Sequence, residues 1–171
     1  DLVSSYIDGE SKWNGVINHK AMIETSSFSS KTGAITYSTK TEVGIKSKIH
    51  EMIHSFSKYN DSPKHKTVLN EGLVEALSEI ICDEHEISYK RSYSASVNAI
   101  YDIIDTAGLP RKAAVVKLLS IEPEAREKLI GKIVDDNAFV TLSPLKSADW
   151  IQDLEVLNGK IRKSKGNRRK D

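Results

Sequence analysis

His50-Glu51-Met52-Ile53-His54 is the stretch from which the rest of the chain is read. The pattern is H-E-x-x-H. On a helix, residues four apart leave the same face about one turn from each other. Two imidazoles so placed reach one metal ion at Zn–N distances of roughly 2.0–2.1 Å. The glutamate between them stands beside the open side of such a metal. There its carboxylate can take a proton from a bound water.

The surroundings place the motif on a helix. Thr39-Lys40-Thr41-Glu42 has the spacing of a capping box, Thr39 with Glu42 three residues later. Ile45, Ile49, Met52, Ile53 and Phe56 recur at helical spacing and form one stripe. His50 and His54 share an adjacent stripe. The helix is expected to end near Tyr59-Asn60-Asp61, ahead of Pro63. Two surface histidines and a solvated glutamate would spell the same five letters, so the next helix has to separate the readings.

That helix is Leu69-Asn70-Glu71-Gly72-Leu73-Val74-Glu75-Ala76-Leu77-Ser78-Glu79, expected to run to about Asp83. Leu69, Leu73, Ala76, Leu77 and Ile80 make its apolar stripe. Glu71 and Glu75 lie one turn apart, roughly opposite. An exposed acidic face is the plainer reading. The sharper one is a third metal ligand followed by a supporting carboxylate. A catalytic zinc takes three protein ligands and keeps one position open, and a further carboxylate can orient a ligating imidazole through its other N–H.

H-E-x-x-H at 50–54 and N-E-G at 70–72, on successive helices, resemble the gluzincin clan of zinc metallopeptidases. The resemblance spans about Thr36 to Ile81. It implies His50, His54 and Glu71 as zinc ligands, Glu51 as the catalytic base, and Glu75 as the acidic residue touching a ligand histidine. It also implies a small twisted sheet ahead of the metal helix. An edge strand of that sheet would hold the substrate backbone by strand addition, which places Gly33 to Ser38 near the cleft. The G-x-M-E-N signature of the clan's aminopeptidases is missing upstream. Many such sites carry a tyrosine or histidine that hydrogen-bonds the oxyanion. Tyr93, at the start of the helix after N-E-G, fits that place, with Tyr89, His65 and His85 as rivals.

The remaining chain sets the bounds. Its 171 residues suit one domain with a self-sufficient core. Apolar residues make up 39% and charged residues 29%, as in ordinary globular proteins. A net charge of +1 gives no reason to expect nucleic acid as a partner. Cys82 is the only cysteine, so no internal disulfide forms, and a buried thiol is expected. The opening residues do not read as a signal peptide. No apolar run reaches 18 residues, so no membrane span is expected.

Val16-Ile17, Ala21-Met22-Ile23 and Ala34-Ile35-Thr36-Tyr37 are β-prone, and a hairpin is expected from about Ala21 to Tyr37. Asp8-Gly9 marks a turn. After the acidic connection Asp83-Glu84-His85-Glu86, a helix is expected with Tyr89, Tyr93, Val97, Ile100, Tyr101 and Ile104 in register. Gly108-Leu109-Pro110 breaks it. Lys112 to Ser120 makes a short helix, Pro123 starts another, and Ser143-Pro144 opens a last one carrying Leu145, Ala148, Leu154, Leu157 and Ile161. The expected fold is α+β: a small N-terminal sheet or hairpin, a zincin-like metal helix, then a mainly helical part. One domain over 1–160 is expected, followed by a basic, solvated tail at 161–171.

The function expected on these grounds is a zinc-dependent endopeptidase acting on a protein or peptide substrate. Two alternatives stand beside it. One is a peptidase module with a single dedicated target, of phage, toxin-like or repressor-cleaving kind. The other is a non-catalytic, zinc-stabilised domain of a larger assembly. Glu51 speaks against the last, because a structural site needs no base and usually has four protein ligands.

Overall fold

The computed structural model describes residues 2–21, 26–39, 44–57 and 68–136. A 3-10 turn, Val3–Ser5, is followed by three strands: β1 (Ile17–Lys20), β2 (Ser27–Phe28) and β3 (Ile35–Ser38). Five helices then come in order: α1 (Ile45–Phe56), α2 (Val68–Glu84), α3 (Ser94–Thr106), α4 (Arg111–Ser120) and α5 (Pro123–Asp136). The architecture is α+β, with the sheet first and the helices after it, as the sequence led one to expect. The helix expected from Ser143 and the 161–171 tail lie outside the described residues. Among the described residues no helix is long and apolar enough to cross a membrane.

The sheet has the order β1-β3-β2. β3 runs parallel to β1, with Ile17 opposite Ile35 and Lys20 opposite Ser38. It runs antiparallel to β2, with Phe28 opposite Ile35. The expected hairpin is therefore met by β2 and β3, but with a shorter first arm. Ala21 is a turn residue, and Met22 and Ile23 lie outside the described residues. Ile35, Tyr37 and Ser38 are buried, which suits a strand paired on both sides. This corrects the edge position expected for Gly33 to Ser38. β3 is internal, and the edge that packs beside α1 is β2. The loop from β2 to β3 requires a glycine: Gly33 has φ +71°, and a Cβ there would lie 2.6 Å from the Lys12 carbonyl oxygen.

α1 begins later and ends earlier than its sequence pattern suggests. Gly44 occupies the N-cap with no side-chain cap, so Thr39 does not serve as one; Glu42 lies outside the described residues. The Thr39 N–H instead bonds to the Lys20 carbonyl and extends the sheet. Ser57 leaves the helix with ψ 148°. Ile49, Ile53 and Phe56 are buried as expected, whereas Ile45 is exposed.

α2 is the central element and packs against α1, α3 and α4. Leu69, Leu73, Leu77 and Ile81 join Ile53, Val97, Ile104 and Leu119 in one core cluster. Gly72 sits where α2 meets α3. A Cβ at that position would lie 2.7 Å from Ile100 Cδ1 and 2.9 Å from Ser96 Cβ, so only glycine allows this approach. Cys82 is fully buried, and burial pushes its thiol up to about 11. α3 begins at Ser94, so Tyr89 and Tyr93 precede the helix expected to contain them. Val3 and Ile7 also enter the core, although their polar surroundings gave no sign of it.

Candidate metal centre

α1 and α2 bring together the groups that the two motifs name. His50 and His54 are four residues apart on α1, and both are buried. Glu71 lies in the first turn of α2, where the helix dipole favours a carboxylate. His50 Nε2 and His54 Nε2 are 3.1 Å apart. Glu71 Oε2 is 3.2 Å from His50 Nε2 and 3.4 Å from His54 Nε2. Three donors at 2.0–2.1 Å from a tetrahedral zinc are spaced by about 3.3–3.4 Å. The three edges therefore fit such an ion. Among the described residues this is the one group of three His, Cys, Asp or Glu side chains close enough to share a metal. The Glu71 side chain keeps 33% of its surface exposed, so the triangle has an open side.

The electrostatics follow from the packing. Burial works against a charged His50, but the Glu71 and Glu75 carboxylates outweigh it and hold the ring up at about 9. Burial likewise pushes Glu71 up, and the two imidazoles more than reverse that, holding it well below the usual carboxylate range. Without an ion a proton shared with His50 offsets the carboxylate charge; a divalent cation suits the same place.

Glu75 is 1% exposed, so the plainer reading of the acidic face does not hold. Its Oε2 lies 2.9 Å from His50 Nδ1. Burial raises Glu75, but His50 and Lys46 outweigh it and keep the group ionised. An ionised carboxylate only accepts, so His50 Nδ1–H donates to Glu75, which leaves Nε2, facing His54 and Glu71, as the nitrogen that would bind a metal once its own proton is lost.

Glu51 is 6% exposed. Burial pushes its carboxyl up, against the pull of His54 and His50, and the Phe28 backbone N–H of β2 bonds to it. Tyr37 of β3 is raised by burial and by the Glu51 charge. A carboxylate near two imidazoles with its affinity for a proton raised is suited to carry one.

Tyr93 stands at the N-cap of α3 in a left-handed conformation, φ 46°. Its ring stacks on His50 at 5.9 Å between centroids and 16° between planes. The rivals sit elsewhere. Tyr89 donates to Asp83 at 3.0 Å, and His85 Nε2 lies 3.2 Å from the Tyr6 hydroxyl. His65 lies outside the described residues.

Sequence patterns did not reveal Lys46, which bonds to Glu75, Ser92, whose backbone N–H donates to Glu75 at 3.0 Å, or Phe28. Lys46 is one turn before His50 on α1, a spacing that could have drawn attention to it. The Phe28 contact is made by backbone and leaves no trace in residue type. The chain matches no family model, no curated protein and no solved structure.

Proposed function

We propose that the chain is a zinc-dependent metallopeptidase of gluzincin type that hydrolyses peptide bonds within a protein or peptide substrate. The observation that carries this reading is the triangle of His50, His54 and Glu71, with edges of 3.1, 3.2 and 3.4 Å. Glu51 beside it and Glu75 behind His50 support the same reading. His50, His54 and Glu71 would hold the zinc, which would supply Lewis acidity toward a water and a carbonyl oxygen.

The chain's own groups do the rest. Glu51 takes a proton from the attacking water and delivers it to the leaving nitrogen. Its burial raises its proton affinity toward what that exchange requires. Glu75 fixes the tautomer and the plane of the His50 ring. Tyr93, 41% exposed at the rim, offers a phenol to the carbonyl oxygen as negative charge grows on it. The open side at Glu71 favours this over a closed structural site, in which four protein ligands would surround the ion.

The test is elemental analysis of purified protein supplied with zinc, followed by digestion of a mixed peptide library with and without chelator. About one zinc per chain, absent from His54→Ala, together with chelator-sensitive cleavage, is the expected result. Zinc uptake with cleavage of one protein only would narrow the reading to a dedicated peptidase. Wild-type protein that takes up no zinc overturns it.

A further inference from the structure

Lys46 is a buried lysine, 7% exposed, whose ammonium is fully engaged. It bonds to Glu75 Oε1, to the Lys90 carbonyl at 2.8 Å and to Ser92 Oγ at 3.0 Å. These three bonds use all three donors that a lysine ammonium possesses. Glu75 Oε1 also accepts the Ser92 backbone N–H at 3.0 Å, while Oε2 faces His50 Nδ1. Residue 93, next in the chain, is the tyrosine whose ring lies over His50. One cation thus ties α1, α2 and the segment before α3 together.

We infer that Lys46 is a positioning residue for the metal centre proposed above, fixing both the Glu75 carboxylate that orients His50 and the 90–92 segment that carries Tyr93 onto the His50 ring. This rests on the peptidase reading only for its purpose; the arrangement itself is a matter of contacts. The left-handed backbone at Tyr93 is a conformation that a bulky residue adopts only when its surroundings enforce it. The bonds at Lys90 and Ser92 hold the residues immediately before it.

The experiment is a double-mutant cycle on Lys46→Met and Glu75→Gln, read in two ways. Zinc affinity is measured by competition with a chromogenic chelator. The His50 ring nitrogen shifts and the Tyr93–His50 ring contact are followed by NMR in metal-free protein. Each single variant is expected to lose about 10–100-fold in zinc affinity. The double variant is expected to be no weaker than Glu75→Gln within about threefold, since non-additivity marks groups acting through one another. Lys46→Met is expected to move the His50 nitrogen signals and weaken the Tyr93 contact.

Wild-type zinc affinity and unmoved His50 signals in Lys46→Met overturn the inference, as do losses that simply multiply in the double variant. Should Lys46→Met fail to fold, the double variant, in which no buried charge is stranded, is compared with Glu75→Gln alone. Equal affinities with a weakened Tyr93 contact support the inference, and a further tenfold drop overturns it. If wild-type protein takes no zinc, the peptidase reading falls, and the NMR signals of metal-free Lys46→Met decide the positioning role by themselves.

Discussion

Helix α2 is buried along two seams of opposite chemistry. Along one, Leu69, Leu73, Leu77 and Ile81 join the apolar side chains of α3 and α4. Along the other, Glu71, Glu75 and Glu79 succeed one another at intervals of one turn. Glu71 meets His50 and His54, and Glu75 meets His50 and Lys46. Glu79 is gripped by Arg91 through bonds of 2.9 and 3.1 Å. The apolar seam stabilises the fold, at roughly 1.5–3 kcal/mol for each fully buried large side chain. The acidic seam does not stabilise in that way, because desolvating a charge costs several kcal/mol and its partner at best recovers it. A helix gains little in stability from carrying two buried carboxylates, Glu75 and Glu79, and a partly buried one, Glu71. Their order beside two histidines is better understood as a site.

The two seams should therefore fail differently. At the proposed metal centre that the acidic seam faces, Glu51→Gln of α1 is expected to lower turnover by about 10²–10⁴-fold while zinc content and melting temperature hold; a fully active variant would remove Glu51 from the proposed mechanism. On the apolar side, Leu77→Ala is expected to lose about 2–5 kcal/mol of stability in denaturant titration, with zinc stoichiometry kept in whatever fraction stays folded. Gly72→Ala lies between the seams. It inserts a methyl against Ile100 and Ser96, and about 1–3 kcal/mol should be lost. A neutral Gly72→Ala would mean that α3 yields at this crossing.

The mildest probe is pH, applied to metal-free protein. The folded His50 is held at about 9, above its ordinary 6.5. The folded state thus binds the proton more tightly than the unfolded chain does. The stability it contributes is fully present below about 6.5 and is lost as pH rises through about 9. Denaturation midpoints of metal-free protein should fall across that window. His50→Gln should flatten the fall, and an unchanged slope would place the proton elsewhere.

Much of the site was legible because both motifs are local. A four-residue spacing on a helix puts His50 with His54, and Glu71 with Glu75, whatever the tertiary fold. Pro123 likewise opens α5 as its fixed φ allows. What was not legible depends on pairing between distant segments. Nothing in Ile17–Lys20 says that it pairs directly and in parallel with Ile35–Ser38, with β2 between them in sequence only. Lys46 looks like any solvated helix lysine until α2 and Lys90–Ser92 close over it. The Thr39–Glu42 spacing looked like a cap, yet Thr39 is drawn into the sheet and Gly44 starts the helix. In each case a tertiary contact overrode a local signal.

Cys82, sealed in the core with its thiol held up at about 11, bears on how this molecule can be watched. A reagent that seeks thiolates at neutral pH finds none in the folded chain. A cysteine introduced at an exposed position, for instance Lys20 or Asn98, would then be the single reactive handle. One dye could be placed there with native Cys82 left intact, and its emission followed as zinc is added.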